Sequence, residues 1–308
     1  TGNFVTRGIK HNVLVGGEYY SVTNKEPGTR VYAVDTIDIF NPVHPVIDPN
    51  AIRSLQPNIK FANNQSWFGV YFQNQITLWD KLHIMGGGRY DWARVSSGYD
   101  DPAVFQLDKI RDARFNPRAG VLYQPVSWLS LYGNWVESFG SSNGRSPTGD
   151  PFKPQTASQF EGGIKTELMD KRLMASVAYF HLTKSNLVTT DPSNVQFNIA
   201  VGEARSQGVE VDIPGQIAKG LNLITTYAYT DTEIIKDFSG IQGNRLPYVP
   251  LHSGSVWLKY DFQQESLRGL SIGGGVYAAG KRLGNVTNSY YDDGYARLDL
   301  YAAYRHKL

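Results

Sequence analysis

Several features are missing from this chain of 308 residues, and each absence removes a class of function. It contains no cysteine, which excludes disulfide frameworks and thiolate metal sites. The formal net charge is only +2, so charge gives no argument for a nucleic-acid partner. No apolar run reaches the ~18 residues that a membrane-spanning helix needs, which excludes helical spans and leaves a membrane β-barrel open.

Signatures of catalysis and of metal binding are equally scarce. The six histidines show no i, i+4 pair and no ligand spacing, so no protein-built metal site is predicted. Residues 140–144 match G-x-S-x-G, but they open a loop rich in Gly, Ser and Pro, whereas a nucleophile elbow requires strand, turn and helix. Glycine runs such as Gly86–Gly88 open no helix and instead indicate bends or close backbone approach. We therefore expect no catalytic residues, no enzyme activity and no built-in cofactor.

What the chain does contain is alternation of apolar and polar residues with a period of two. In the segment 253–262, Val256, Leu258 and Tyr260 fall on one face, and Trp257, Lys259 and Asp261 on the other. Successive side chains of a strand point to opposite faces of its sheet, so each segment has an apolar and a charged face. A soluble sheet can show this pattern, and a transmembrane barrel must, because lipid lies outside and a polar lumen inside.

Twelve strands are predicted from this pattern, and the links between them alternate short and long. Antiparallel outer-membrane barrels sort their links in this way, with short periplasmic turns and long external loops, whereas a soluble sandwich has no reason to do so. The sequence thus predicts an all-β, up-and-down antiparallel transmembrane barrel. The predicted strands are 6–20, 66–78, 82–95, 113–124, 128–139, 157–167, 172–185, 203–214, 221–234, 250–262, 270–283 and 294–306.

The polar registers of several strands hold charged residues of both signs, which favours a wide lumen facing water or another polar protein surface. Charged residues in these registers include Arg89, Asp91, Arg118, Glu161, Lys165, Glu210, Asp212, Lys259, Asp261, Arg297 and Asp299.

Aromatic residues are concentrated near strand ends and in the long links. Loops on a rigid scaffold are where binding residues concentrate, and aromatic faces with a few cations suit a large amphipathic ligand, including an anionic one. The same rings could instead pack on one another over the barrel mouth. The candidate ligand-binding residues at the external mouth are Tyr20, Trp67 and Tyr295 from the inward register, and Tyr99, Tyr248, Tyr290 and Tyr291 from the loops.

A series of short motifs runs through nearly the whole chain in one order, although each motif is loose by itself. The series includes Phe68–Ile76 followed by Gly86–Asp91, then Asn116–Tyr123, Phe160–Lys165, Ser206–Glu210, Tyr227–Asp231 and Val249–His252. In this order the motifs resemble the barrel of TonB-dependent ferric-siderophore receptors.

The resemblance implies part of a 22-stranded barrel that in such receptors encloses a plug domain. Residues 1–308 would form about twelve strands of that single barrel domain, with the plug, the early strands and the last strands absent. The abrupt ends, Thr1-Gly2-Asn3 and His306-Lys307-Leu308, favour a segment of a longer chain. One departure from the family pattern is Asn74, which stands where the second strand usually has Asp.

The function that the resemblance implies is transport without covalent chemistry. A bacterial outer-membrane receptor would capture a ferric siderophore and import it with energy delivered by the TonB–ExbB–ExbD system through the plug. The iron would arrive inside its chelate, so the protein need supply no metal ligand. The implied partners are the siderophore, TonB and outer-membrane lipid, with no nucleic acid. Two alternatives stay open: a self-contained 12-stranded outer-membrane channel, and a soluble β-sandwich binding module.

Overall fold

The computed structural model describes residues 1–27, 40, 42, 60–99, 108–141, 152–190, 198–237 and 240–305. Nearly all regular structure in these residues is β-strand, with one short 3₁₀ helix at Glu265–Leu267. None of the described residues belongs to a helix that is long and apolar enough to cross a membrane. The strands are β1 Gly2–Thr6, β2 Ile9–Pro27, β3 Lys60–Leu78, β4 Leu82–Tyr99, β5 Asp108–Val126, β6 Leu129–Gly140, β7 Gln155–Leu168, β8 Leu173–Thr190, β9 Asn198–Ala218, β10 Leu221–Lys236, β11 His252–Asp261, β12 Leu270–Ala279, β13 Arg282–Leu283, β14 Tyr291–Asp292 and β15 Tyr295–Tyr304.

Thirteen of these strands form one sheet in which strands adjacent in sequence are hydrogen-bonded neighbours. The order is β1 to β12 followed by β15, and β13 and β14 form a separate two-stranded sheet. The pairs from β5 through β12, and the pair of β12 with β15, are antiparallel. The predicted up-and-down antiparallel order is therefore confirmed, and sequence neighbours are also neighbours in space.

The predicted number of twelve strands is wrong because the segment 6–20 contains a turn. Arg7 and Gly8 have φ angles of 49° and 85° and connect β1 to β2. Positive φ at both central residues is what a two-residue hairpin of type I′ requires. An Arg-Gly pair is a weaker signal than Asn-Gly or Asp-Gly, so the sequence did not reveal this turn.

Several predicted strand ends are also wrong. β3 begins at Lys60, β8 ends at Thr190 and β9 ends at Ala218, each beyond the predicted boundary. In these places the backbone ladder continues past the apolar alternation, which therefore cannot mark the strand's end. The predicted strand 270–283 is too long, since β12 ends at Ala279 and Arg282–Leu283 pairs with Tyr291–Asp292 instead.

The alternation of link lengths is confirmed along the chain. Each short link is shorter than the long links next to it, and the longest short link, 262–269, contains the 3₁₀ helix. The short links are 7–8, 79–81, 127–128, 169–172, 219–220 and 262–269. The long links are 28–59, 100–107, 141–154, 191–197, 237–251 and 280–294.

The two faces of the sheet carry the side chains that the alternation predicts. Leu258 lies opposite Leu223 of β10 and Gly274 of β12, whereas Lys259 lies opposite Asn222 and Gly273. Because Cα partners in an antiparallel pair project to the same face, apolar and polar rows are continuous across these strands. A solvent-exposed apolar row of this kind suits contact with lipid.

The chain forms two compact units. One contains residues 1–16, 70–90 and 114–308, and the other residues 17–69 and 91–113. In the first unit, Ile234 and Thr232 are almost fully buried beneath the link that follows β10. In the second, the buried apolar side chains are Ala93, Val95 and Ile110.

Candidate functional site

The predicted ligand-binding residues fall into two groups, one in each compact unit. Tyr248, Tyr290, Tyr291 and Tyr295 belong to the first unit, and Tyr20, Trp67 and Tyr99 to the second. Tyr99 is the last residue of β4, and its side chain lies outside the described part of the structure.

In the second unit, Tyr20 and Trp67 form a stacked pair. Their ring centroids are 6.2 Å apart and the ring planes differ by 10°. Stacking of this kind fixes two side chains of the predicted inward register against each other. Tyr20 remains partly exposed, so the pair retains aromatic surface for a ligand.

In the first unit, the candidate tyrosines lie on two long links that are bonded to each other. We call residues 237–251 the β10–β11 loop, and residues 280–294, which contain β13 and β14, the β12–β15 loop. The backbone N–H of Tyr248 donates to the Leu283 carbonyl at 2.7 Å, and the Asn244 side-chain amide donates to the Val286 carbonyl at 2.9 Å. The two loops therefore form one ordered surface in this unit.

Three tyrosine rings project from this loop surface toward solvent. The exposed fractions are 64% for Tyr248, 62% for Tyr291 and 50% for Tyr290. Large aromatic residues usually bury most of their area, so three exposed rings on neighbouring loops mark a surface suited to binding. The structure brings these predicted residues together on one loop pair.

Tyr290 is held in place by a glycine. Its ring lies over Gly284 so closely that a Cβ at that position would collide with it, and its hydroxyl donates to the Gly284 carbonyl at 3.0 Å. The Gly284 N–H donates to the Tyr290 carbonyl at 3.1 Å. Gly284 therefore permits close approach of the ring, whose other surface stays exposed.

Two cations accompany the tyrosines of the β12–β15 loop. Lys281 Nζ lies 5.7 Å from the ring centroid of Tyr291, and Arg282 Cζ lies 5.7 Å from that of Tyr295. Arg282 Nε also lies 3.7 Å from Asp292 Oδ2. Cations above aromatic faces can bind both the π-system and an anionic ligand. Lys281 and Arg282 were not among the predicted site residues, since both fell within the predicted strand 270–283.

The polar face of the strands carries a second set of interactions in the same unit. The Tyr132 hydroxyl donates to Glu161 at 2.8 Å, and Lys165 Nζ lies 4.8 Å from the Tyr132 ring centroid. Glu210 and Asp212 lie opposite Ala178 and Ser176 of β8 on that face. The predicted clustering of charges of both signs on one face is confirmed for these residues.

The described residues contain no group of three or more His, Asp or Glu side chains that could hold a metal ion. Of the G-x-S-x-G match, only Gly140 and Ser141 are described: Gly140 ends β6 and Ser141 follows it.

Comparison with known proteins decides the family. A family model described as "TonB dependent receptor-like, beta-barrel" matches residues 1–308. The chain belongs to the TonB-dependent receptor β-barrel family.

Some curated proteins are more than 30% identical to the chain. It is 33% identical over 324 residues to the metal-pseudopaline receptor CntO of Pseudomonas aeruginosa, covering 98% of this chain and 43% of that receptor. It is 32% identical over 304 residues to the ferrichrome outer membrane transporter/phage receptor of Escherichia coli, covering 98% of this chain and 40% of the transporter. The chain thus spans less than half the length of the curated relatives it matches.

Solved receptor structures agree with the fold. BauA, the ferric preacinetobactin receptor of Acinetobacter baumannii, superimposes with a TM-score of 0.81 at 24% identity, covering all of this chain and 46% of that one. The ferripyoverdine receptor of Pseudomonas aeruginosa superimposes with a TM-score of 0.74 at 23% identity, covering 99% of this chain and 41% of that receptor. The sheet therefore has the fold of an outer-membrane TonB-dependent receptor barrel.

Proposed function

We propose that this chain serves in a receptor that binds an iron(III)–siderophore complex and imports it across the outer membrane with energy from TonB. The loop pair with its exposed tyrosines and accompanying cations is the observation that carries the proposal. Aromatic faces bind the organic part of a chelate, and cations attract its negative charge. The family membership supplies the transport class.

Two separate groups of ligand-binding residues are proposed: Tyr248, Tyr290, Tyr291 and Tyr295 in one unit, and Tyr20, Trp67 and Tyr99 in the other. Iron would be held by its chelator, so no metal ligand, cofactor or catalytic group of this chain is assigned, and no enzyme activity is proposed. The proposed partners are the ferric siderophore, outer-membrane lipid and the TonB–ExbB–ExbD system acting through a plug domain. Nucleic acid is not among them.

A second candidate cargo is a chelate of another transition metal. The relative with 33% identity is named a metal-pseudopaline receptor, and that name does not specify iron. Since no described residue group would select a metal directly, metal specificity would follow from the chelator. The self-contained channel is not favoured, because β1 and β15 occupy opposite ends of the strand order instead of pairing.

Uptake into cells tests the proposal directly. The complete receptor is expressed in a strain without its own siderophore receptors, and ⁵⁵Fe uptake is measured with ferrichrome, ferrioxamine B and a ferric catecholate. Parallel samples carry pseudopaline loaded with labelled zinc or cobalt. We expect saturable uptake of at least one chelate that disappears when TonB is deleted. Absence of uptake for every chelate tested, or uptake that persists without TonB, would contradict the proposed function.

A further inference from the structure

One asparagine bonds both backbone groups of a residue in another loop. The Arg245 N–H of the β10–β11 loop donates to Asn288 Oδ1 at 2.8 Å, and Asn288 Nδ2 donates to the Arg245 carbonyl at 2.9 Å. The side-chain amide thus makes the pair of bonds that a neighbouring strand would make. These residues are 43 positions apart in sequence, so the contact exists only in the folded receptor.

The backbone at position 288 is suited to this task. Asn288 has a φ of 57°, in the left-handed region that asparagine tolerates better than most residues. Its N–H donates to the Asn285 carbonyl at 3.2 Å, which closes a tight turn and aims the amide across to Arg245. Only a side chain with both a donor and an acceptor can serve both groups, and aspartate would lack the donor.

The other side of this contact is fixed to a strand. Leu246 N–H donates to the hydroxyl of Thr232 at 3.1 Å, and Ile234 N–H donates to the Asn244 carbonyl at 2.8 Å. Thr232 and Ile234 are almost fully buried in β10. Arg245 therefore lies in a segment anchored to the barrel, and Asn288 transfers that anchoring to the second loop.

We propose that Asn288 is a positioning residue for ligand binding, which rests on the proposed function of the loop surface. Its amide holds the β12–β15 loop against the anchored β10–β11 loop, so that Tyr248, Tyr290 and Tyr291 form one preformed contact surface. Fixing loops in their binding conformation raises affinity because less conformational freedom is lost when the ligand binds. Loss of the amide leaves each tyrosine present and leaves the Tyr248–Leu283 and Asn244–Val286 hydrogen bonds in place, but the two loops are then held together less firmly.

The test uses the complete receptor in detergent micelles with Asn288→Gly. Glycine keeps the left-handed backbone accessible and removes only the amide. The matched control is Asn285→Ala, since the Asn285 amide bonds Ser289 within the same loop, at 2.7 Å and 3.0 Å, and no other side chain or backbone group among the described residues. Hydrogen exchange of the Arg245 and Tyr248 amides is measured without ligand, and affinity is measured for the chelate that the wild-type receptor takes up.

We expect Asn288→Gly to accelerate exchange at Arg245 and Tyr248 at least tenfold and to weaken chelate binding about tenfold. Exchange in β11 and β12, and the thermal midpoint of the barrel, should stay unchanged, whereas a purely structural role would lower that midpoint. Asn285→Ala should leave Arg245 exchange and affinity close to wild type. Unchanged exchange at Arg245 overturns the joining role, and faster exchange with unchanged affinity overturns the positioning role.

These outcomes differ from a failure of the proposed function. If the wild-type receptor takes up no chelate, the transport proposal and the positioning role fall together. The exchange measurement needs no ligand, so it decides in every case whether Asn288 joins the two loops.

Discussion

At Tyr248 the backbone and the side chain of one residue have separate tasks. Its backbone takes a φ of 64° and its N–H bonds the Leu283 carbonyl across the loop pair, while 64% of the side chain is exposed. The hydrogen bond to Leu283 uses the backbone and not the ring, so the exposed ring is available to a ligand.

We therefore expect Tyr248→Ala to weaken chelate binding roughly two- to tenfold, since an aromatic contact is worth ~0.5–1.5 kcal/mol beyond area burial. Titration of the folded, detergent-solubilised receptor measures the change. Trp128→Ala is the matched control: Trp128 is also an exposed aromatic residue, but it lies in the short link 127–128. Equal losses in both variants would remove Tyr248 from the site.

Asp80 provides a residue-scale prediction about pH. Its carboxylate accepts a hydrogen bond from Lys10 Nζ at 2.6 Å in the turn after β3, and this bond, with the positive charge of Lys10, lowers the pKa of Asp80 below its ordinary value. A lowered folded-state pKa contributes stability that is present above the unfolded-state pKa and is lost as pH falls through the folded-state value.

Asp80→Asn should therefore lower the thermal midpoint slightly near pH 7, and the difference from wild type should vanish in the acidic range below the ordinary carboxyl pKa. The pair is fully exposed, so 1 M salt should also abolish the difference. Thermal unfolding followed by circular dichroism at several pH values checks both effects. A difference that grows as the pH falls would show that the pair is not its source.

At the scale of the element, a strand's two faces differ in environment even where exposure is similar. Leu258 of β11 is 41% exposed in the apolar row, and Ile224 of β10 is 51% exposed in the polar row, opposite Trp257. Exposure alone cannot separate these positions, but the register predicts lipid beside Leu258 and the lumen beside Ile224.

Replacing each by arginine gives a matched pair of variants. We expect Leu258→Arg to destabilise the barrel by ~2–4 kcal/mol, the cost of arginine near the bilayer midplane, and Ile224→Arg to cost much less. Denaturant titration of the complete receptor refolded into lipid vesicles measures both. If Ile224→Arg were the more costly substitution, the assignment of the two faces would have to be reversed.

The short two-stranded sheet β13–β14 shows how elements support the site. It brings Arg282 and Tyr291 to one end of the β12–β15 loop, with Arg282 opposite Asp292. The alternation of apolar and polar residues predicted only a continuation of β12 here. The partner of β13 is β14, a strand of two residues, which is too short for a period of two to be recognised. The cations beside the tyrosines were missed for the same reason.

At the scale of the whole molecule, the described sheet has two edges. β1 is paired only with β2, and β15 only with β12. Edge strands present unpaired N–H and C=O groups, each of which costs several kcal/mol in hydrocarbon. An open sheet is therefore unstable in a bilayer unless further strands pair with both edges.

We expect residues 1–308 expressed alone to fail to fold into detergent or lipid, whereas the complete receptor folds. Heat-modifiable migration on semi-native gels and resistance to protease distinguish folded from unfolded barrel. Stable insertion of the segment by itself would mean that the edges find partners, for example in a second copy.

The sequence by itself determined the strand class, the antiparallel order and the two faces. These follow from a period of two, from charges of both signs in the polar registers and from links that alternate in length, all of which are local properties. It also determined the family, since the ordered motifs occur along the chain. Every one of these signals can be read from residues close together in sequence.

Only the tertiary structure decided where strands end, that Arg7 and Gly8 turn the chain, and how the candidate tyrosines are supported. Asn288 and Arg245 are 43 residues apart, in loops whose polar residues have no periodicity. The choice of partner for a side-chain amide depends on which loops meet above the barrel, and this is set by the pairing of β10, β11, β12 and β15. A local sequence pattern cannot predict this contact between loops, because the contact forms only after the strands have fixed the positions of the loop ends.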